Sequence, residues 1–270
     1  MGQDFDKAIG RTGGGGLYRL LAWLSPNFPI GAFSYSHGIE AAAESGAVHD
    51  RASLEAWVRA IVADGSGRID ADILCNAYRA AATGNDTALI DANRHGGAFR
   101  ATAELALESA QQGEALLVAY RAAWCDAAKK PSAHDGGKKR SERGMPRGRS
   151  FDLTSTLSSN RGEEALGAAA HIVCHSAAFG AAAAGAGIAL EDALVGYLQA
   201  FATNLIAAGL RLGLVGQTDG QRILAALEAV ITAAAEAAIA RDPEDFGSAT
   251  FALDLLSMTH ETQYSRLFRS

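Results

Sequence analysis

The sequence predicts an all-α protein, a single-domain helical bundle of about ten helices. Apolar residues make up 49% of the chain and lean on alanine, while proline occurs only 5 times in 270 residues. Alanine is the best helix former and proline the worst, so this composition favours helices. Apolar residues also recur at helical spacing along most of the chain, and no convincing alternating pattern indicates strands.

The chain is predicted to consist of a flexible N-terminal tail, residues 1–16, and one helical domain, residues 17–270. The tail has no apolar run of the kind that signal peptides contain. Leu17–Leu24 is predicted to form the first helix. Two prolines and a glycine then interrupt the helical pattern in Leu24–Glu40, so we expect a rigid, irregular segment that presents aromatic and polar side chains.

Helical stripes predict the elements that follow this segment. Ser53 is expected to cap a helix that ends near Gly65. The helical period continues through Asp70–Ala82. A long helical pattern then covers Phe99–Ala128, and Gly113 is its expected weak point.

The second half of the chain is also predicted to be helical. Helices are expected within Glu163–Ala186 and over Leu190–Leu212, after which GQTDGQ is expected to turn the chain. Thr218 or Asp219 then caps a further helix in this prediction. The last helix is predicted over Pro243–Leu256, because proline suits the first turn of a helix.

A basic insert, residues 129–150, interrupts the helical pattern. Lys129–Arg149 holds eight basic and two acidic residues, so its net charge is +6 in a chain whose total is −6. We interpret the insert as a solvated, disordered loop. Binding of nucleic acid through phosphate contacts is the weaker alternative, because no interleaved aromatic residue is present to stack on bases.

Cysteine usage and hydropathy predict a cytoplasmic protein that does not enter a membrane. Cys75, Cys125 and Cys174 are far apart and odd in number, which fits a reducing compartment better than a disulfide framework. The longest apolar run, Ala177–Leu190, is short and consists mostly of alanine and glycine. Such a run is typical of a buried helix.

The segment HIVCH is a weak candidate for a metal site. On a helix, His171 and His175 would share one face at i and i+4 with Cys174 beside it, and these side chains suit zinc or nickel. No further ligand is identifiable, and the glutamate of the HExxH pattern is absent. We therefore favour packing histidines, and keep a helical metal-dependent hydrolase that uses these three residues as the alternative function.

Three motifs together resemble the UreF family of urease accessory proteins. They are LSPNFPIGAFSYSHGIE near the N-terminus, YLQAFATNLIAAGLRLGLVGQTDGQRIL in the second half, and MTHETQYSRLFRS at the end. The resemblance implies an all-helical homodimer that is not an enzyme and binds no cofactor stably. It also implies assembly with UreD (also called UreH) and with the GTPase UreG, an influence on GTP hydrolysis, and delivery of nickel to apo-urease.

The resemblance assigns partner binding to matching positions in all three motifs. These positions are Pro29, Gly31, Phe33, Tyr35, Gly38, Glu40, Gln217, Asp219, His260, Glu261, Tyr264, Arg266, Leu267 and Arg269. The insert at 129–150 departs from the family pattern, and so does CHSAAF, which lacks the proline expected before its phenylalanine.

Tyr35 and Arg266 suggest how the two ends of the chain meet. A phenol and a rigid five-donor guanidinium are complementary hydrogen-bonding groups. If the C-terminal tail docks beside Leu24–Glu40, we expect this pair to fix the tail in its partner-binding shape.

Overall fold

Helices form all the regular structure in the parts of the chain described here, residues 12–125, 156–157, 172–243 and 245–269 of a computed structural model. The all-α prediction is therefore confirmed. The insert at 129–150 and His171 lie outside the described residues.

The helices are numbered in chain order. They are α1 (Gly14–Trp23), α2 (Ile39–Glu44), α3 (Arg51–Asp64), α4 (Ser66–Thr83), α5 (Asp86–Ala98), α6 (Ala103–Tyr120), α7 (His175–Gly185), α8 (Leu190–Arg211), α9 (Gln217–Ala226), α10 (Glu228–Ala240) and α11 (Phe251–His260). A 3-10 turn covers Ala32–Ser34, and a π-helical turn, Arg121–Cys125, extends α6.

The core centres on α4, which packs most extensively against α7. The two backbones come very close, since a Cβ added at Gly180 would lie 2.4 Å from the carbonyl oxygen of Leu74. Fully buried side chains such as Tyr78, Phe179 and Leu198 fill the space around this contact. Small residues on α7 therefore determine how tightly the bundle closes.

The start of α3 differs from the prediction by one turn. Asp50, not Ser53, is the N-cap, and its carboxylate accepts the Ser53 backbone N–H at 2.8 Å. The Ser53 hydroxyl in turn accepts the backbone N–H of Asp50, which completes a capping box. The helix ends before Gly65 as predicted.

The helix predicted over Phe99–Ala128 begins four residues later, at Ala103, and runs through the π-helical turn to Cys125, while residues 126–128 lie outside the described residues. The chain bends at Phe99–Thr102, and the side chain of Thr102 caps α6 by accepting the backbone N–H of Leu105 at 3.1 Å. Gly113 lies inside continuous helix and is no weak point. A Cβ there would lie 2.0 Å from the carbonyl oxygen of Val173, so this glycine permits a close backbone contact.

Two predictions in the C-terminal third are also wrong. GQTDGQ does not turn the chain but begins α9, with Gly216 rather than Thr218 or Asp219 as N-cap, and a break at Leu227 separates α9 from α10. The last helix begins at Phe251, eight residues after Pro243. Here Ala249 donates its backbone N–H to Asp64 at 2.8 Å, so a tertiary contact shapes a stretch where local sequence suggested a helix.

Helix α8 is long and apolar enough, by length and composition alone, to cross a membrane, as is the bent pair α9–α10 if taken as one segment. In the structure α8 is a core helix. Leu194 and Leu198 are fully buried in the bundle, and Leu205 nearly so. Packing inside the protein thus accounts for the high hydropathy of α8.

Candidate partner-binding site

The segment before α2 forms a sharply bent turn whose backbone is set by residues with positive φ. Gly31 has φ 72°, His37 has φ 51° and Gly38 has φ 75°. A Cβ on Gly38 would come within 3.1 Å of the backbone of Ser257, so α2 approaches α11 closely here. This approach places Glu40, in the first turn of α2, next to the C-terminal tail.

Glu40 is the centre of the contact between the two ends of the chain. Its Oε2 atom accepts from His260 Nε2 at 3.0 Å and from the backbone N–H of Phe268 at 3.0 Å. Its Oε1 atom accepts the backbone N–H of Leu267 at 2.6 Å. One buried carboxylate thus holds the end of α11 and the tail beyond it.

The hydrogen bonds to Glu40 also keep it ionised. Burial acts to raise the pKa of this carboxyl, but the bonds from His260, Leu267 and Phe268 outweigh it and leave the pKa below its ordinary value. An ionised acceptor strengthens each of these bonds relative to a neutral one.

His260 lies between two carboxylates and is fully buried. Its Nε2 faces Glu40, and its Nδ1 faces Glu104 Oε2 at 2.8 Å. The two ring nitrogens of His260 thus link a carboxylate on α2 to a carboxylate on α6. The second oxygen of Glu104 accepts from Arg266 Nη1 at 2.5 Å.

Tyr35 does not pair with Arg266, contrary to the sequence hypothesis. Its hydroxyl donates to Gln111 Oε1 at 2.6 Å, and Arg269 Nη1 reaches the same oxygen at 3.3 Å. The backbone N–H of Arg269 also donates to the carbonyl of Ser34 at 2.8 Å. The tail does dock beside the N-terminal segment, but Gln111 joins Tyr35 to Arg269, and Arg266 pairs with Glu104.

The remaining tail side chains divide into anchored and exposed groups. The Phe268 ring is buried beneath Arg211, whose Cζ lies 4.2 Å from the ring centroid. Glu261 accepts the backbone N–H of Ala103 at 3.1 Å, close to the start of α6. Leu267 and Tyr264, in contrast, point into solvent.

Helix α11 also exposes large apolar side chains. We use the name tail surface for these and the two exposed tail residues together, namely Phe251, Leu255, Met258, Tyr264 and Leu267. The three helical members are spaced at i, i+4 and i+7, which places them on one face of α11. An exposed apolar patch of this kind is typical of a protein–protein contact.

A cavity of about 520 Å³ lies behind the turn Ala32–Tyr35, to which the tail is hydrogen-bonded at Ser34. The segment from Trp23 to Tyr35 forms one wall, and α8 forms another. Its floor holds three polar pairs, described below: Asp70 with Arg100, Glu108 with His37, and His175 with Tyr197. The predicted partner-binding residues Pro29, Gly31, Phe33 and Tyr35 all line this cavity.

The helical premise of the HIVCH metal site is wrong for the part that the structure describes. Ile172–Cys174 is not helical, and α7 begins only at His175, so the sequence spacing does not place the histidines on one helical face. Cys174 Sγ lies 3.1 Å from Arg100 Nη2 and 3.2 Å from Ser109 Oγ. No group of three or more histidine, cysteine, aspartate or glutamate side chains suited to a metal ion occurs among the described residues.

The central motif lies apart from the other two in its hydrogen bonding. Gln217 is exposed in the first turn of α9, and Asp219 pairs with Arg222 at 2.9 Å and with Arg51 at 4.0 Å. The α8 part of this motif does contact the other two, since Arg211 covers the Phe268 ring and the Phe201 ring lies 4.9 Å from that of His37. Only its second part, at the start of α9, presents a separate surface near the start of α3.

Sequence reasoning missed the residues on α6 that join the two ends. Glu104, Glu108 and Gln111 lie within a helical pattern that showed only apolar periodicity. Glu108 is buried and accepts from His37 and Gln112, at 3.0 and 2.8 Å to its Oε1. The one available signal was the set of polar residues on a helix otherwise expected to pack into the core.

Comparison with known proteins places these features in a family context. The family model UreF matches residues 48–228. The urease accessory protein UreF of Granulibacter bethesdensis is 42% identical over 261 residues, covering 96% of both chains. That of Bradyrhizobium sp. strain ORS 278 is 41% identical over 254 residues, covering 94% of this chain and 92% of the relative. That of Rhodopseudomonas palustris strain BisB18 is 38% identical over 265 residues, covering 98% and 96%.

Proposed function

Because the chain belongs to the UreF family of urease accessory proteins, we propose that it is a non-enzymatic scaffold in the maturation of the urease nickel centre. In this proposal a homodimer of the chain binds UreD (UreH), and the complex recruits the GTPase UreG and modulates its GTP hydrolysis. The assembly then delivers nickel to apo-urease in the cytoplasm. Nickel is a cargo of the assembly, and no cofactor stays bound to this chain.

The observation that carries the proposal is the docked tail with its exposed apolar surface. Monomeric proteins rarely leave such a patch uncovered unless a partner binds it. Tyr264 and Leu267 expose their side chains, while Phe268 and His260 beside them are buried. Tyrosine and arginine are also the residues most often found at the energetic centres of interfaces.

The tail is docked on α2 and α6 of its own chain, and this supports a binding role. Ordering an irregular chain costs roughly 1–2 kcal/mol per residue. Glu40 and Glu104 offset this cost with hydrogen bonds to His260, Leu267, Phe268 and Arg266. A partner that meets a pre-ordered surface does not have to supply that free energy.

The test is co-expression with UreD and UreG, followed by measurement of the mass of the complex by size exclusion with light scattering. We expect one assembly that contains two copies of this chain. Arg266→Ala removes the ion pair with Glu104 and is expected to weaken the assembly. Arg59→Ala, which removes an exposed pair with Glu55 on α3, is the matched control. Elution of the wild-type chain apart from both partners would refute the proposal.

A further inference from the structure

The cavity behind the turn Ala32–Tyr35 has apolar walls and is large enough for a bulky side chain. Its volume of about 520 Å³ lies in the range of pockets that enclose small organic molecules. The apolar side chains that line it include Trp23, Leu24, Phe28, Ile30, Leu105, Phe201 and Leu205. Most of these belong to the core or pack against it, so the walls are supported from behind.

The charged groups of the cavity floor are already partnered. Arg100 Nη2 donates to Asp70 Oδ1 at 2.7 Å, and Glu108 contacts His37 Nε2 at 2.9 Å. Burial acts to raise the pKa of Asp70, but Arg100 beside it holds that pKa below its ordinary value. A charged ligand would lose its hydration here without gaining a free counter-ion, so the floor favours an uncharged occupant.

The third floor pair is neutral and adds a hydrogen-bonding site. Burial lowers the pKa of His175 to about 4 and raises that of Tyr197, so both side chains are uncharged at neutral pH. The Tyr197 hydroxyl lies 3.2 Å from His175 Nδ1. An occupant with an apolar body and at most one uncharged polar tip suits such a floor.

The turn at the mouth of the cavity also contacts the tail. Phe33 lines the cavity and yet is largely exposed, so it lies at the opening. The next residue, Ser34, accepts the backbone N–H of Arg269, and Tyr35 joins Arg269 through Gln111. The exposed side chain of Phe33 is thus next in sequence to the residue that binds Arg269, two positions from Leu267.

We propose that this cavity is an anchor pocket: the protein that binds the tail surface inserts one uncharged aromatic or aliphatic side chain into it. The proposal rests on the scaffold function above and specifies how the partner is held. A side chain buried in a well-packed, desolvated pocket is the usual form of an interface hot spot. The turn Ala32–Tyr35 lines the cavity and also binds the tail through Ser34. A partner side chain in the pocket and the docked tail therefore stabilise the same conformation of this turn, so each favours the other.

The experiment introduces a larger side chain on α8 that occupies part of the cavity, and then measures binding of the co-expressed UreD partner. Ala200 lines the cavity, so Ala200→Leu occupies part of its volume without adding charge. Ala237→Leu makes the same change at an exposed position of α10 and is the control. Thr203→Leu, one turn along α8, is a second variant for use if Ala200→Leu fails to fold.

We expect Ala200→Leu to weaken partner binding by roughly 10-fold or more while Ala237→Leu binds like wild type. Equal binding by wild type, Ala200→Leu and Thr203→Leu would overturn the anchor pocket and leave the scaffold function standing. Failure of the wild-type chain to bind the partner would overturn both. Native mass spectrometry of the free chain provides a second check. A small molecule that wild type retains and Ala200→Leu lacks would overturn the anchor pocket and assign the cavity to that molecule. Self-association that is lost only in Ala200→Leu would likewise assign the cavity to a second copy of the chain.

Discussion

Glu40 Oε2 and His260 Nε2 lie 3.0 Å apart although 220 positions separate the two residues in the chain. This contact joins the first and last family motifs and buries both side chains. Everything beyond α11 is held in place by it and by the hydrogen bonds around it.

Glu40→Gln is expected to release the tail. The glutamine amide keeps one acceptor oxygen but loses the negative charge, and its NH2 group is a donor that faces other donors. Leaving buried donors unpaired costs about 1–3 kcal/mol. Limited proteolysis after Arg266 should become faster and the partner complex weaker.

Glu44→Gln is the control for this variant, because Glu44 is exposed at the other end of α2. Equal protection of the tail in Glu40→Gln and Glu44→Gln would show that Glu40 does not hold the tail.

Tail docking is expected to weaken in acid. The pKa of Glu40 is lowered in the folded state, so its contribution is complete above the ordinary carboxyl value of 4.5 and is lost as pH falls through the lower folded value. Hydrogen exchange of the Leu267 and Phe268 amides, corrected for the intrinsic effect of pH, measures the loss. Protection that persists unchanged far below pH 4.5 would contradict the assignment.

Asp72 is expected to have the opposite pH dependence. Burial raises its pKa to about 6 despite the neighbouring Arg241, so the folded state binds a proton that the unfolded state releases at about 3.8. The stability contributed by the protonated form is present below 3.8 and is lost as pH rises through about 6. Thermal unfolding between pH 4 and 7 should therefore show a component that Asp72→Asn removes.

Asp64→Asn, at an exposed position of α3, is the control for the Asp72 measurement. A pH profile that is the same in wild type and Asp72→Asn would refute the raised pKa.

Gly113→Ala is expected to destabilise the fold strongly. Its Cβ would lie 2.0 Å from the carbonyl oxygen of Val173, so α6 and the irregular segment before α7 would have to separate. Overpacking of this kind typically costs about 1–3 kcal/mol, which outweighs the better helix propensity of alanine. Urea unfolding measures the difference.

Gly97→Ala is the matched control in α5, because the nearest atom to its Cβ would be Ile172 Cγ2 at 4.0 Å. This variant should be neutral or slightly more stable than wild type. Similar midpoints for Gly113→Ala and wild type would show that the close contact is not required.

Helices with one clear apolar stripe were predictable from sequence. The stripe of α3 includes Leu54, Trp57 and Ile61, and all three are buried. The missed α5 has few buried residues, so its pattern was too weak to detect. The start of the last helix was predicted wrongly for another reason. Pro243 favours a first helical turn locally, but the backbone hydrogen bond from Ala249 to Asp64 is a tertiary contact that the local sequence does not show.

The motifs that form the candidate site were predictable from sequence, but the hydrogen-bonding partners of their side chains were not. Tyr35 and Arg266 were rightly placed at one meeting point of the chain ends, yet each binds a residue of α6 instead of the other. Gln111 and Glu104 show only that α6 carries polar residues, because the partners that explain this polarity lie more than 70 residues away in sequence. Only the fold brings those partners together.

Glu40 binds the backbone N–H of residue 267, while the side chain of that residue faces solvent. Docking of the tail therefore depends on the main chain, and recognition of a partner depends on the side chain. The N–H of Leu267 is common to every amino acid except proline, so the identity of this exposed side chain does not affect the bond. Position 267 is thus free to change with the surface of a binding protein while the tail keeps its path. Two proteins that meet here can adjust to each other over evolutionary time without refolding either one, and proline is the one residue that would break the link.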